Sequence, residues 1–219
     1  MPKAILFDLG DTVLEEQAYN LVQGFEAISK HLASNVTFKN MKKASETFQS
    51  NTSEFQLLQW LDEHLAEDGV SCAAEEVELI LWKNTVSLVP INGVRSVLEF
   101  LLENDIRIAA ISNAIFSSSC MKYELRKHGL GDYFEFVLSS ADLGIRKPDP
   151  RIFEFALQTL KLEPEEVWYV GDKWEADVVG SHAAQMTPVW FNDHLPDEAG
   201  IEHIRLLQWA DFKAVWNDQ

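Results

Sequence analysis

The chain opens on a short apolar run, Ala4-Ile5-Leu6-Phe7, that stops at Asp8. A run of that kind, bounded by a glycine-containing turn, has the pattern of a buried parallel strand. Four later runs share it: residues 106–111 (Ile-Arg-Ile-Ala-Ala-Ile), 134–138, 167–170 (Val-Trp-Tyr-Val) and 188–191 (Pro-Val-Trp-Phe). Between them the period changes. Apolar residues at 94, 97, 98, 101 and 102 have helical spacing over 94–104, and 119–128 and 151–160 read as helices too. Strands alternating with helices predict βαβ units and an α/β fold, a doubly wound parallel sheet with helices on both faces.

Residues 15–89 break this rhythm. They contain no convincing strand. Their pattern is helical, with Phe55, Leu58, Leu61 and Leu65 on one stripe and Val77, Ile80 and Leu81 on another. Pro90-Ile91-Asn92-Gly93 marks the return to alternation. The expected organisation is therefore an α/β core made of residues 1–14 and 90–219, with a mostly helical insert over 15–89 after the first strand.

Composition narrows what such a fold can bind. Hydrophobic residues make up 47% of the 219, enough for a sizeable core in one large domain or a core with an insert. The formal net charge of −17 disfavours nucleic acid, because phosphate backbones would be repelled. An anionic substrate would then need local positive charge, from a bound cation and a few Lys or Arg. Cys72 and Cys120 are too far apart for a metal motif or a disulfide framework, and the six histidines show no ligand spacing. The first apolar run is too short, and too soon interrupted by Asp8, for a signal peptide. No apolar stretch approaches the ~20 residues of a membrane helix. The expectation is a cytoplasmic protein, monomer or homodimer, with no membrane and no nucleic acid among its partners.

Candidate chemistry sits where strands end. In an open α/β sheet, ligands bind at the carboxyl ends of the strands. Asp8 ends the first, in Phe7-Asp8-Leu9-Gly10-Asp11-Thr12, and Ser112-Asn113 ends the second. Lys147 follows the third, in Gly144-Ile145-Arg146-Lys147-Pro148, and Gly171-Asp172-Lys173-Trp174-Glu175-Ala176-Asp177 follows the fourth. Each alone has a plain structural reading: a turn cap at Asp8, a helix N-cap at Ser112, a surface lysine, a solvated helix start. Four in this order are hard to attribute to chance. A carboxylate can attack phosphorus to form an acyl phosphate that water hydrolyses. Asp8 with Asp172 suits Mg²⁺, a hard cation with oxygen ligands. Lys147 would add a second positive charge, and the Ser112 hydroxyl a hydrogen bond to a phosphoryl oxygen. Arg146 and Lys173 read as surface residues.

With these motifs in order, the chain resembles the haloacid dehalogenase superfamily from Lys3 to roughly Asn192. The resemblance implies a phosphohydrolase that acts on a small phosphorylated metabolite. It implies Asp8 as nucleophile and metal ligand, Gly10 as a ligand through its backbone carbonyl, and Asp172 and Asp177 as further metal carboxylates, with Mg²⁺ as cofactor. Ser112, Asn113 and Lys147 would bind the substrate phosphate. The insert over 15–89 is similar in position to that family's C1 cap, which closes over the site and selects substrate.

One departure matters. The family's phosphatases carry an Asp two positions after the nucleophile as general acid and base, where this chain has Gly10; Asp11 stands one residue further on. Three readings follow: Asp11 substitutes through an altered turn, the substrate needs little acid, or the protein is a poor catalyst. Gly10 could also hold a backbone angle closed to Asp. Two rivals share these motifs. The family's 2-haloacid dehalogenases use an aspartate nucleophile and often Ser-Asn, without metal, but usually lack the Gly-Asp pair present here as Gly171-Asp172. A catalytically weak binder of phosphometabolites or of a partner protein is the other.

Overall fold

The computed structural model describes residues 1–32, 53–67, 71–191 and 200–219. His194 and residues 33–52 of the insert lie outside that set.

Strand β1 (Ala4–Phe7) leads into β2 (Leu14–Tyr19) and helix α1 (Leu21–Leu32). Helices α2 (Leu57–Glu67) and α3 (Ala74–Thr85) come next, then β3 (Val86–Pro90), α4 (Val94–Glu103), β4 (Arg107–Ser112) and α5 (Ser118–Lys127). Strand β5 (Val137–Ser139), the short α6 (Ser140–Leu143) and α7 (Pro150–Leu160) precede β6 (Val167–Gly171). A single π-helical turn (Trp174–Val179) runs into α8 (Gly180–Ala183), followed by β7 (Thr187–Phe191), β8 (Ile204–Leu206) and α9 (Phe212–Asn217).

Six strands form one parallel sheet in the order β5-β4-β1-β6-β7-β8. Strand β1 is wholly buried at its centre, and Ala4 is in register with both Arg107 and Val167. Side chains alternate between two cores, because successive residues of a strand point to opposite faces. Ile5, Phe7, Ile108, Ala110, Trp168 and Val170 pack on one face, against α4, α5 and α9. Ala4, Leu6, Ala109, Ile111, Val167 and Tyr169 pack on the other, against α7. This is the doubly wound arrangement the alternation predicts. Local chemistry starts α7 where expected: Pro150 supplies its first turn, and the Asp149 carboxylate accepts from the Arg151 N–H at 3.0 Å.

The insert departs from its expectation. It does contain strands, since β2 and β3 pair antiparallel, from Leu14 opposite Pro90 to Tyr19 opposite Val86. In β2 only Leu14 is buried, so no apolar alternation marks it, and its partner lies far along the chain, so no hairpin turn marks it either. Strand β8 escaped the pattern too, being three residues at a sheet edge. The insert helices carry their own cluster of Ile28, Leu57, Leu61, Leu65, Val77 and Leu81, which reaches the α/β core through Phe116 and Cys120. Among the described residues no helix is long and apolar enough to cross a membrane.

Candidate active site

The carboxyl ends of β1, β4 and β6 converge on a cavity of about 280 Å³. Asp8, Gly10, Asp11, Ser112, Asn113, Lys147, Asp172 and Asp177 all line it, so every site residue singled out in the sequence meets there. Arg146 and Lys173, read as surface residues, line it as well.

Strand β1 delivers Asp8. Its N–H donates to the Val170 carbonyl at 2.8 Å, extending the ladder with β6 and aiming the side chain past the sheet edge. Lys147 then fixes it. The buried ammonium donates at 2.7 Å to Asp8 Oδ1, at 2.7 Å to Asp177 Oδ1 and at 2.7 Å to the Tyr169 hydroxyl. An ammonium has three protons, and all three are engaged. The Tyr169 hydroxyl in turn donates to the Ile111 carbonyl at 3.2 Å. Burial opposes the charge on Lys147, but Asp177 and Asp8 outweigh it and hold the ammonium's pKa above the ordinary lysine value.

The loop that carries Lys147 is pinned by Asn113. Its side-chain amide donates to the Lys147 carbonyl at 2.9 Å and accepts from the Lys147 N–H at 2.9 Å. That side chain, expected to bind phosphate, is thus given to the lysine's backbone.

At the end of β6, Gly171 is required by close approach. A Cβ there would collide with the Asp177 carboxylate, and that carboxylate could not shift without leaving Lys147. The π-helical turn brings Asp177 back to the strand end, where its Oδ2 accepts from the Lys173 N–H at 2.9 Å. The Asp172 carbonyl accepts from Trp190 Nε1 at 3.1 Å, tying the loop to β7. The Lys173 ammonium pairs with the Asp172 carboxylate and reaches Asp11 Oδ2 at 3.7 Å.

Oxygens of Asp8, Asp172 and Asp177 lie within 4.8 Å of one another. Burial, reinforced by Asp177 and Asp172, pushes the Asp8 carboxyl up to about 7, although Lys147 pulls it down. Burial raises Asp172 also, against the pull of Lys173. Three buried carboxylates facing two amines, Lys147 for Asp8 and Asp177 and Lys173 for Asp172, keep a net negative charge. An all-oxygen set of this kind fits a small hard divalent cation such as Mg²⁺.

A sequence model of the haloacid dehalogenase-like hydrolase family matches residues 5–191. The chain belongs to that family. A glyceraldehyde 3-phosphate phosphatase of Methanothermobacter thermautotrophicus is 27% identical, over 93% of this chain and 91% of its own. A pyrimidine 5′-nucleotidase of Escherichia coli is 33% identical over 48% of this chain and 46% of its own. A haloacid dehalogenase-family phosphatase of Thermococcus onnurineus superposes with a TM-score of 0.64 at 22% identity, covering 98% of this chain and 97% of that one. A 2-haloacid dehalogenase of Pseudomonas syringae superposes with a TM-score of 0.63 at 22% identity, covering 100% and 99%. At that identity the last two speak for the shared fold.

Against the haloacid dehalogenase pattern, the turn after β1 is inverted in an informative way. Asp11 has φ 57°, the left-handed region that favours glycine. Gly10 is not among the positive-φ glycines, and a Cβ built on it meets nothing within 4 Å. The expectation that Gly10 holds an angle closed to Asp is therefore corrected. The unusual angle belongs to Asp11, whose side chain is exposed and faces Lys173.

Sequence reasoning missed Tyr169, whose hydroxyl holds Lys147, and the roles of Arg146 and Lys173. For the two cations, adjacency to Lys147 and Asp172 was the available signal. Tyr169 had none, because an apolar strand hides which residue faces the lysine.

Proposed function

We propose that the chain is a Mg²⁺-dependent phosphohydrolase that cleaves a small phosphorylated metabolite through an aspartyl-phosphate on Asp8. The observation that carries this reading is the buried Asp8, Asp172, Asp177 and Lys147 constellation around one cavity. The phosphatase and nucleotidase among the relatives support the same reaction class. Residues 15–89 would serve as the cap over the site.

Asp8, Asp172 and Asp177, with the Gly10 carbonyl, would hold Mg²⁺, which would neutralise charge between the nucleophile and the phosphate. Lys147 grips Asp8 Oδ1 and leaves Oδ2 to attack phosphorus. The bond from Asp8 oxygen to phosphorus forms as the bond to the leaving oxygen breaks, and that oxygen takes up a proton. The Ser112 hydroxyl and the Lys147 ammonium hold the phosphoryl oxygens through this transfer. To do so Lys147 must turn one of its three N–H donors from its present acceptor to the phosphate. Water then attacks the acyl phosphate, the bond to Asp8 breaks, and inorganic phosphate leaves with the carboxylate restored.

Turnover of p-nitrophenyl phosphate and acetyl phosphate tests the reading. Asp8→Asn and EDTA should each reduce it to background, and Mg²⁺ should restore the EDTA-treated protein. Full activity in Asp8→Asn would remove the nucleophile.

A further inference from the structure

A second cavity of about 340 Å³ adjoins the carboxylate cavity. That is within the ~300–1,000 Å³ typical of ligand pockets. Both cavities have Gly10, Ser112, Asn113 and Arg146 in their walls. A phosphate held at Ser112 and Lys147 would therefore carry its leaving group towards this chamber. The chamber lies where the insert meets the core, between β2, β3 and α3 on one side and α5 with the loop after β4 on the other.

Its lining is mainly apolar: Leu14, Trp82, Leu88, Ile115, Phe116 and Met121. Trp82 and Phe116 meet edge to face with centroids 5.0 Å apart, so part of the wall is aromatic. Its buried acids are already occupied. Glu124 accepts from Trp82 Nε1 at 3.1 Å and from Lys127 Nζ at 2.8 Å. Glu54 accepts from Ser140 Oγ at 2.8 Å and faces Arg146 Nε at 3.6 Å. Glu16, Tyr19 and Arg146 complete the polar part of the wall, and a polyol placed here would exchange water chiefly for apolar side chains.

We infer that this chamber takes an apolar, ring-sized leaving group, so that the preferred substrate is a phosphate monoester of an aromatic or arylalkyl alcohol rather than of a three-carbon polyol. The inference rests on the phosphohydrolase reading above.

The test compares kcat/KM for 2-phenylethyl phosphate, ethyl phosphate and glycerol 3-phosphate. All three release a primary alkoxide, so the differences report the chamber and not leaving-group chemistry. Phenylethyl phosphate should lead by roughly 10–100-fold, the scale on which apolar pockets discriminate. Leu88→Asn and Ile115→Asn, each checked for folding by circular dichroism, should narrow that lead. Without any turnover, 2-phenylethylphosphonate should compete with p-nitrophenyl phosphate at lower concentration than ethylphosphonate does. Equal or better turnover of glycerol 3-phosphate would overturn the inference while leaving the phosphohydrolase reading intact. So would a phenylethyl preference that both folded variants retain in full. Failure to hydrolyse any phosphate, acetyl phosphate included, would instead overturn the reading and the inference with it. Should both variants misfold, the wild-type ratio and the phosphonate competition still decide.

Discussion

Asp11 holds a left-handed angle at φ 57°, where an L-residue costs on the order of 1 kcal/mol relative to glycine, while the glycine beside it has no such need. The exchange Gly10→Asp with Asp11→Gly should therefore fold and melt within a few degrees of the parent. It should place a carboxyl two residues after the nucleophile, where a proton donor is worth ~10²–10⁴ in rate. Turnover of alkyl phosphates should rise and that of p-nitrophenyl phosphate, whose leaving group needs no proton, should change little. Equal effects on both substrates would mean that the acid lies elsewhere. Tyr169→Phe probes the other side of the site. It removes the acceptor of one Lys147 proton and leaves the ring packed against Phe153. With Lys147 less well held, kcat should fall by up to about 10²-fold, the scale of a 1 Å misplacement, with KM less affected. Loss of thermal stability with unchanged kcat would make Tyr169 merely structural. At this scale the sequence was most legible where a polar residue interrupts an apolar run, as at Asp8 and Ser112. It was least legible at Tyr169, where a strand residue serves the site through one hydroxyl.

Helix α3 is tied to α5 by a buried carboxylate. Glu78 of α3 accepts at 2.7 Å from the Ser117 N–H and at 2.6 Å from the Ser117 hydroxyl, just ahead of α5. Burial raises the Glu78 carboxyl above the ordinary glutamate range, although the bonds from Ser117 pull it down. The folded chain thus holds this proton more tightly than the unfolded chain. The stability it contributes is complete below the ordinary glutamate value and is lost as pH rises through the raised one. Glu78→Gln keeps an acceptor and cannot titrate, so chemical denaturation of this variant should lose part of the wild-type decline from pH 4.5 towards neutrality. An unchanged slope would refute the assignment. Glu78→Ala leaves Ser117 without that acceptor and should cost about 1–3 kcal/mol. Elements of the α/β core were legible because each announces itself locally: Val94–Glu103 and Pro150–Leu160 fall within a residue of their predicted bounds. The β2–β3 ribbon was not, since its pairing is long-range and its outer residues are polar.

On the scale of the whole molecule, the ribbon is where the insert leaves the core and returns to it. Leu14 and Pro90 are opposite one another at its base, and the Ile91 N–H donates to the Val13 carbonyl at 3.0 Å. Both strands also wall the apolar chamber, through Leu14, Glu16, Val86 and Leu88. Movement of residues 15–89 over the site would be felt at this ribbon, at Phe116 and Cys120, which join the insert's apolar cluster, and at the polar ties of Glu54 to Ser140 and Gly144 and of Glu78 to Ser117. The alternation of strand and helix led to the expectation of a core and an insert, from the break in period over 15–89. It said nothing of how the two face each other, because that depends on a cluster assembled from residues far apart in the chain. Closure around a bound phosphate would order both connections together, since water is excluded only when the insert seats on the core. Hydrogen exchange with Mg²⁺ and a phosphate mimic should then slow at Leu14–Tyr19 and Val86–Pro90 relative to the protein alone, while β1 and β6, buried in either state, should change little. Asp8→Asn separates closure from mere ion binding. If it weakens the cation's hold, the concentration needed for protection should rise while the protected segments stay the same. Protection confined to Asp8, Asp172 and their immediate neighbours, with the ribbon unaffected, would make the insert a fixed wall of the chamber and not a lid.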